Sequence, residues 1–131
     1  MKINKVNFFY LLLLLFHVGH VFEEAWGDFR VVGMIGLGWF FVVNWFLFSI
    51  PLVIFYFILE KRRTAYILGM LYGAIMTLNG IGHNIVTIVT GRYFGLAAGG
   101  FTGIGLILTG LPLIYYLNRE IKGSKGLIPN P

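Results

Sequence analysis

The stretch VNFFYLLLLLFHVGHVFEEAW, residues 6–26, decides the fold. Its first half is an unbroken apolar run, and as a helix the whole stretch reaches ~30 Å, the thickness of a bilayer's hydrocarbon core. Its second half carries His17, His20, Glu23 and Glu24 into the same span. Lys2 and Lys5 ahead of an apolar run also fit a signal peptide. No A-x-A-like cleavage site follows, so a retained span is expected.

Three further runs are as long and as apolar. The spans read as about 6–26, 37–59, 64–89 and 94–117. A short amphipathic connection, Gly27 to Gly36, holds Asp28 and Arg30. Glu60, Lys61, Arg62 and Arg63 end the second span, Gly91-Arg92-Tyr93 forms the next turn, and 118–131 reads as a flexible polar tail. The runs are apolar on every side, whereas barrel strands alternate apolar and polar over about ten residues. The expected fold is therefore all-α, a four-helix transmembrane bundle in a single domain over 1–131. Pro51 and Pro112 are expected to kink or adjust their helices, which neighbouring groups compensate in a membrane.

Composition agrees. Of 131 residues 58% are hydrophobic and 11% charged, against about a quarter charged in a soluble domain. The absence of cysteine excludes disulfides, thiolate catalysis and Cys-ligated metal centres. The net charge of +5 lies in loops and ends, not on a helix face, which speaks against nucleic acid. Lys2, Lys5, Lys61, Arg62, Arg63, Arg119, Lys122 and Lys125 fall on one side of a four-span bundle, and Arg30 and Arg92 on the other. The positive-inside rule then predicts cytoplasmic termini and a multi-pass protein of the inner (plasma) membrane. Gly95, Gly99 and Gly103 recur at four-residue spacing, a small-xxx-small pattern for packing within the monomer or for a homodimer face.

The polar residues inside the spans carry the chemistry. At 100° per residue His17, His20 and Glu24 share an arc of roughly 60° on the first helix, with Glu23 about 60° further round. Asn79 and His83, four apart, stack on one face of the third span. Counted from the helix ends, His20, Glu23, Asn44, Asn79 and His83 lie within roughly 8 Å of one depth. Charged groups at such depth cost about 2.5–3.5 kcal/mol on insertion scales, so they face the bundle interior and find partners. Of the two carboxylates Glu24 stands closer to the helix end at Trp26 and Gly27, and is expected to be the more open to water. For His17 and Asn44 a structural hydrogen bond is the simplest role.

The run His20-Val21-Phe22-Glu23-Glu24 resembles the H-x-x-E-E signature of a functionally uncharacterised family of small bacterial integral membrane proteins. Asn79-Gly80-Ile81-Gly82-His83 is similar to the N-x-x-x-H element that accompanies it, and Arg92-Tyr93 through Thr102 to the glycine-containing stretch that follows, without the proline expected after the tyrosine. The resemblance spans helix one to helix four. It implies importance for His20, Glu23, Glu24, Asn79 and His83 without attaching an activity.

The leading functional expectation is a membrane-embedded enzyme acting on a hydrophobic or lipid-like substrate. In one version His20, His83 and a glutamate, Glu23 or Glu24, hold zinc or iron, Asn79 or water completes the shell, and the second glutamate acts as general base. In another, His20 and the glutamates perform acid–base chemistry without a metal. A transporter or proton relay using the same cluster is the alternative. Haem held by His20 and His83 is a third reading, and a structural or partner-binding protein a fourth.

Overall fold

The computed structural model describes residues 4–124, and those residues form helices joined by short turns. In chain order these are α1 (Lys5–Trp26), α2 (Arg30–Ile35), α3 (Leu37–Leu59), α4 (Arg63–Thr90), a 3-10 turn (Gly95–Ala97) and α5 (Gly100–Ser124). Helices α1, α3, α4 and α5 are each long and apolar enough to cross a membrane. The all-helical, four-span architecture expected from the sequence is present. Lys2, Lys125 and the tail beyond Ser124 lie outside the described residues.

Local chemistry sets the helix ends. The Asn4 side chain accepts from Val6 N at 3.2 Å and caps the start of α1. Gly91 ends α4 in the left-handed conformation. The fourth span starts at Gly100, not near Phe94, because Gly95 (φ +75°) and Gly99 (φ +107°) turn the chain through a region that side chains avoid. It also continues beyond 117, taking Asn118 to Ser124 into the helix, where a tail was expected.

α4 and α5 form a close seam of small residues. A Cβ on Gly80 would run into the Gly103 carbonyl, and one on Gly110 would meet Thr77 Oγ1. Backbones come this close where lipid supplies no hydrophobic drive and packing must do the work. The expected Gly95/Gly99/Gly103 homodimer face is corrected here: Gly95 lies in the 3-10 turn, Gly99 faces two imidazoles, and Gly103 packs against Gly80 of the same chain. The four-residue spacing would have made a stripe only if helix ran through all three positions.

α1 packs against α5, with Phe9 stacked on Tyr116 and the Phe16 ring against Gly105. α3 is held more loosely, burying only Phe40, Pro51 and Ile58. Pro51 is nonetheless anchored, because Tyr10 Oη donates to its carbonyl at 3.0 Å. The apolar core, including Tyr10, Leu13, Leu113 and Leu117, fills the half of the bundle that holds the α1 start and the α3–α4 turn. The buried ionisable groups occupy the other half. Exposed Trp26 and Trp39 stand at that end and exposed Tyr56 and Tyr115 at the opposite one, the places where amphipathic rings meet the membrane–water boundary.

Candidate metal centre

α1 and α4 run in the same direction, so residues one turn apart on each can meet at matching levels. His20 and Glu24 stack on the inner face of α1, and His83 reaches them from α4. Glu24 Oε1 lies 3.2 Å from His83 Nε2 and 3.5 Å from His20 Nε2. The three residues can offer one ligand atom each with all three atoms within 4.8 Å of one another, and so could hold a metal ion. All are buried: His20 is 1% exposed, His83 7% and Glu24 8%.

The hydrogen bonds fix the state of His20. The hydroxyl of Thr102 donates to Glu23 Oε2 in a short contact. Having one proton, that hydroxyl must accept from His20 Nδ1, 2.9 Å away. His20 therefore carries its proton on Nδ1 and keeps a lone pair on Nε2, where Asn79 Nδ2 donates at 3.0 Å. A carboxylate, a hydroxyl and an imidazole in series are the outer-shell support that orients a ligating histidine.

Glu23 thus stands behind His20 and outside the His20–Glu24–His83 group. Its Oε1 accepts from Phe101 N at 2.9 Å and its Oε2 from Thr102 N at 2.7 Å. These are free backbone donors in the first turn of α5, at the positive end of the helix dipole. With three donors on its two oxygens, Glu23 caps α5 and lies outside the His20–Glu24–His83 group in which it was expected as ligand or general base. Glu24 is the buried carboxylate and Glu23 the half-buried one, the reverse of the expected order. The segment 97–100, fully buried, covers the end of α1 that would otherwise open to water.

Glu24 needs a compensating charge, since a buried unpaired carboxylate costs several kcal/mol. Among the described residues its ion-pair partners are the two histidines alone. His83 Nδ1 is buried and has no hydrogen-bond partner among the described residues. Two imidazoles and a carboxylate, however, suit a divalent cation. Donors 2.0–2.1 Å from one tetrahedral ion sit about 3.3–3.4 Å apart; the two separations from Glu24 Oε1, 3.2 and 3.5 Å, lie near that value, and the three ligand atoms lie within 4.8 Å of one another. Three protein ligands also leave a fourth position open, the pattern of catalytic zinc sites.

Gly99 makes the convergence sterically feasible. A Cβ there would come within 2.5 Å of His20 Cε1 and 3.2 Å of His83 Nδ1. The His20 and His83 rings meet edge to face with centroids 4.8 Å apart, in contact, leaving no slot for the flat macrocycle that the haem reading requires. The Phe29 ring covers His83 at 5.3 Å.

The other polar residues named from the sequence have local partners. His17 Nδ1 pairs with Tyr72 Oη at 3.0 Å, and Asn44 donates to Phe40 O of its own helix at 2.9 Å. Both line a cavity of about 550 Å³ between α1, α2, α3 and α4, which His20, Glu24 and Asn79 also reach. Sequence reasoning missed Thr102, Gly99, Tyr72 and Phe29. Thr102 and Gly99 lay unrecognised at the beginning of α5, a start that hydropathy does not reveal. Comparison with family models, curated proteins and solved structures returns no match for this chain.

Proposed function

We propose that this membrane protein is a metal-dependent enzyme embedded in the bilayer, with His20, Glu24 and His83 as ligands for zinc or iron and a hydrophobic, lipid-like molecule as substrate. The observation that carries this reading is the convergence of two imidazoles and one carboxylate, with ligand atoms within 4.8 Å of one another, beside an apolar cavity. A bound ion supplies Lewis acidity, polarising a substrate oxygen or acidifying water. The chain's own residues do the rest. Glu23 and Thr102 hold His20 with its Nε2 lone pair facing the centre. Asn79 Nδ2 faces that same lone pair at 3.0 Å; displaced by an ion bound there, the amide is left to donate to a substrate oxygen. Phe29 and the apolar residues of α2 keep bulk water from the cavity end, which strengthens every charge interaction inside.

We also infer cytoplasmic termini in a plasma membrane. The described basic residues support this: Lys5, Lys61, Arg62, Arg63, Arg119 and Lys122 gather at one end of the bundle, with Arg30 and Arg92 at the other. Membership of the H-x-x-E-E family is a further proposal, supported by the closeness of His20, Glu23, Glu24, Asn79 and His83 in space.

The test is elemental analysis of the detergent-purified protein beside His20→Ala and His83→Ala. Near-stoichiometric zinc or iron in the wild type, lost in both variants, supports the reading. No metal in any sample, even after it is offered, sinks it. Proton flux in liposomes that stops in the same variants would favour the relay instead.

A further inference from the structure

The cavity beside the metal centre has a direction. Its upper end, at His20, Glu24 and Asn79, is polar. Its lower end, at Pro51, Ile54, Leu68 and Leu71, is hydrocarbon only. The polar groups between, His17 and Tyr72, are bonded to each other. From Asn79 down α4 to Leu68 the cavity runs ~17 Å along the helix axis, a length that takes an extended hydrocarbon chain. Its flank is open to the bilayer, because α3 buries so few residues and Leu47, Ile50, Leu68 and Leu71 are exposed.

A groove of that length, apolar along its walls and polar at one end, matches one molecular shape. We propose that it binds a single hydrocarbon chain lying parallel to the bilayer tails, with an oxygen-bearing head group at Glu24, His20 and Asn79. The occupant is a single-chain lipid entering sideways between α3 and α4, its tail reaching past the middle of the bundle toward the basic end. The cavity of about 550 Å³ takes one tail and the head, so the second tail of a two-chain lipid would be left outside it. A water-soluble metabolite would leave most of the wall unmatched. This assignment rests on the proposed function, since it supplies the substrate class of the same centre.

The test uses the full chain in phosphatidylcholine nanodiscs with two photoreactive palmitate probes, one bearing a diazirine at the chain end and one near the carboxylate. Metal content is measured in the same samples. The chain-end probe is expected to label Pro51–Ile54 and Leu68–Leu71, and the carboxylate-end probe Val21, Phe40 and Val43. Both should saturate near one probe per chain and be displaced by unlabelled palmitate. Leu68→Trp, which narrows the lower groove, is expected to cut labelling at least tenfold, while Leu78→Trp, on the same helix but outside the cavity, leaves it unchanged. Labelling spread over exposed residues such as Trp45, Leu78 and Ile88, or indifferent to Leu68→Trp, would mean ordinary surrounding lipid and overturn the groove. Metal retained without groove labelling refutes the lipid assignment alone. Groove labelling without metal in any sample supports the groove and refutes the metal centre.

Discussion

Thr102→Val is the most informative single change, because it removes one hydroxyl and almost no volume. In the wild type that hydroxyl accepts from His20 Nδ1 at 2.9 Å and donates to Glu23. Without it, a donor on a residue only 1% exposed is left unpaired, a cost of about 1–3 kcal/mol. The cheapest relief is for the His20 proton to move to Nε2. There it points toward Glu24 Oε1, 3.5 Å away, and removes the lone pair a metal needs. Loss of outer-shell support of this kind weakens metal affinity about 10–100-fold, or about 1.4–2.7 kcal/mol. Competitive zinc titration of the purified protein measures the affinity, and ¹⁵N NMR of the histidine rings reports the tautomer. Thr102→Ser, which keeps the hydroxyl, should restore both. Zinc affinity within about twofold of wild type in Thr102→Val, or an unchanged Nδ1–H tautomer, would refute the relay from Glu23 through Thr102 to His20.

Gly99→Ala should abolish metal binding while leaving the helices formed, because its Cβ lands 2.5 Å from His20 Cε1 at a φ of +107°; metal analysis beside circular dichroism checks both halves. Gly80→Ala should cost about 1–3 kcal/mol by overpacking the α4–α5 seam, whereas Gly82→Ala, whose Cβ meets nothing within 4 Å, should be neutral or slightly stabilising; thermal unfolding of the two purified variants decides it. Since the chain has no cysteine of its own, Asp28→Cys should react with an impermeant maleimide on intact cells and Lys61→Cys only after permeabilisation, and the opposite pattern would reverse the orientation.

Much of this was legible in the sequence because a bilayer enforces it. Spans one to three were placed to within about a residue, since lipid tolerates only helices with closed backbone bonding and charged or glycine-containing turns mark their ends. The inward stripe of His17, His20 and Glu24 followed from helical angles, as did the His83 face. The start of the fourth helix did not, because Phe94–Gly99 is as apolar as the helix after it and only backbone angles separate them. That error hid Thr102 and the helix terminus that occupies Glu23. It also made Glu24 look exposed, since nothing in α1 alone shows that residues 97–100 fold over its end. Asn44 was placed at the right level, but its amide turns to Phe40 of its own helix, a choice that depth cannot reveal.

The cap that Glu23 places on α5 ties the first of the four described spans to the fourth. A nascent chain that has made α1, α3 and α4 holds Glu23 with none of the donors that Phe101 and Thr102 provide, and His20 without its hydroxyl partner. The first helix is therefore the least settled element until α5 has been made. Arrival of α5 satisfies the carboxylate, fixes the imidazole and closes the end of α1 in one step. A chain terminated after Gly91 should accordingly be degraded in cells where the full chain accumulates, a difference that pulse-chase labelling would register. Assembly is thus ordered: the residues that orient His20 find their partners only when α5 packs against α1.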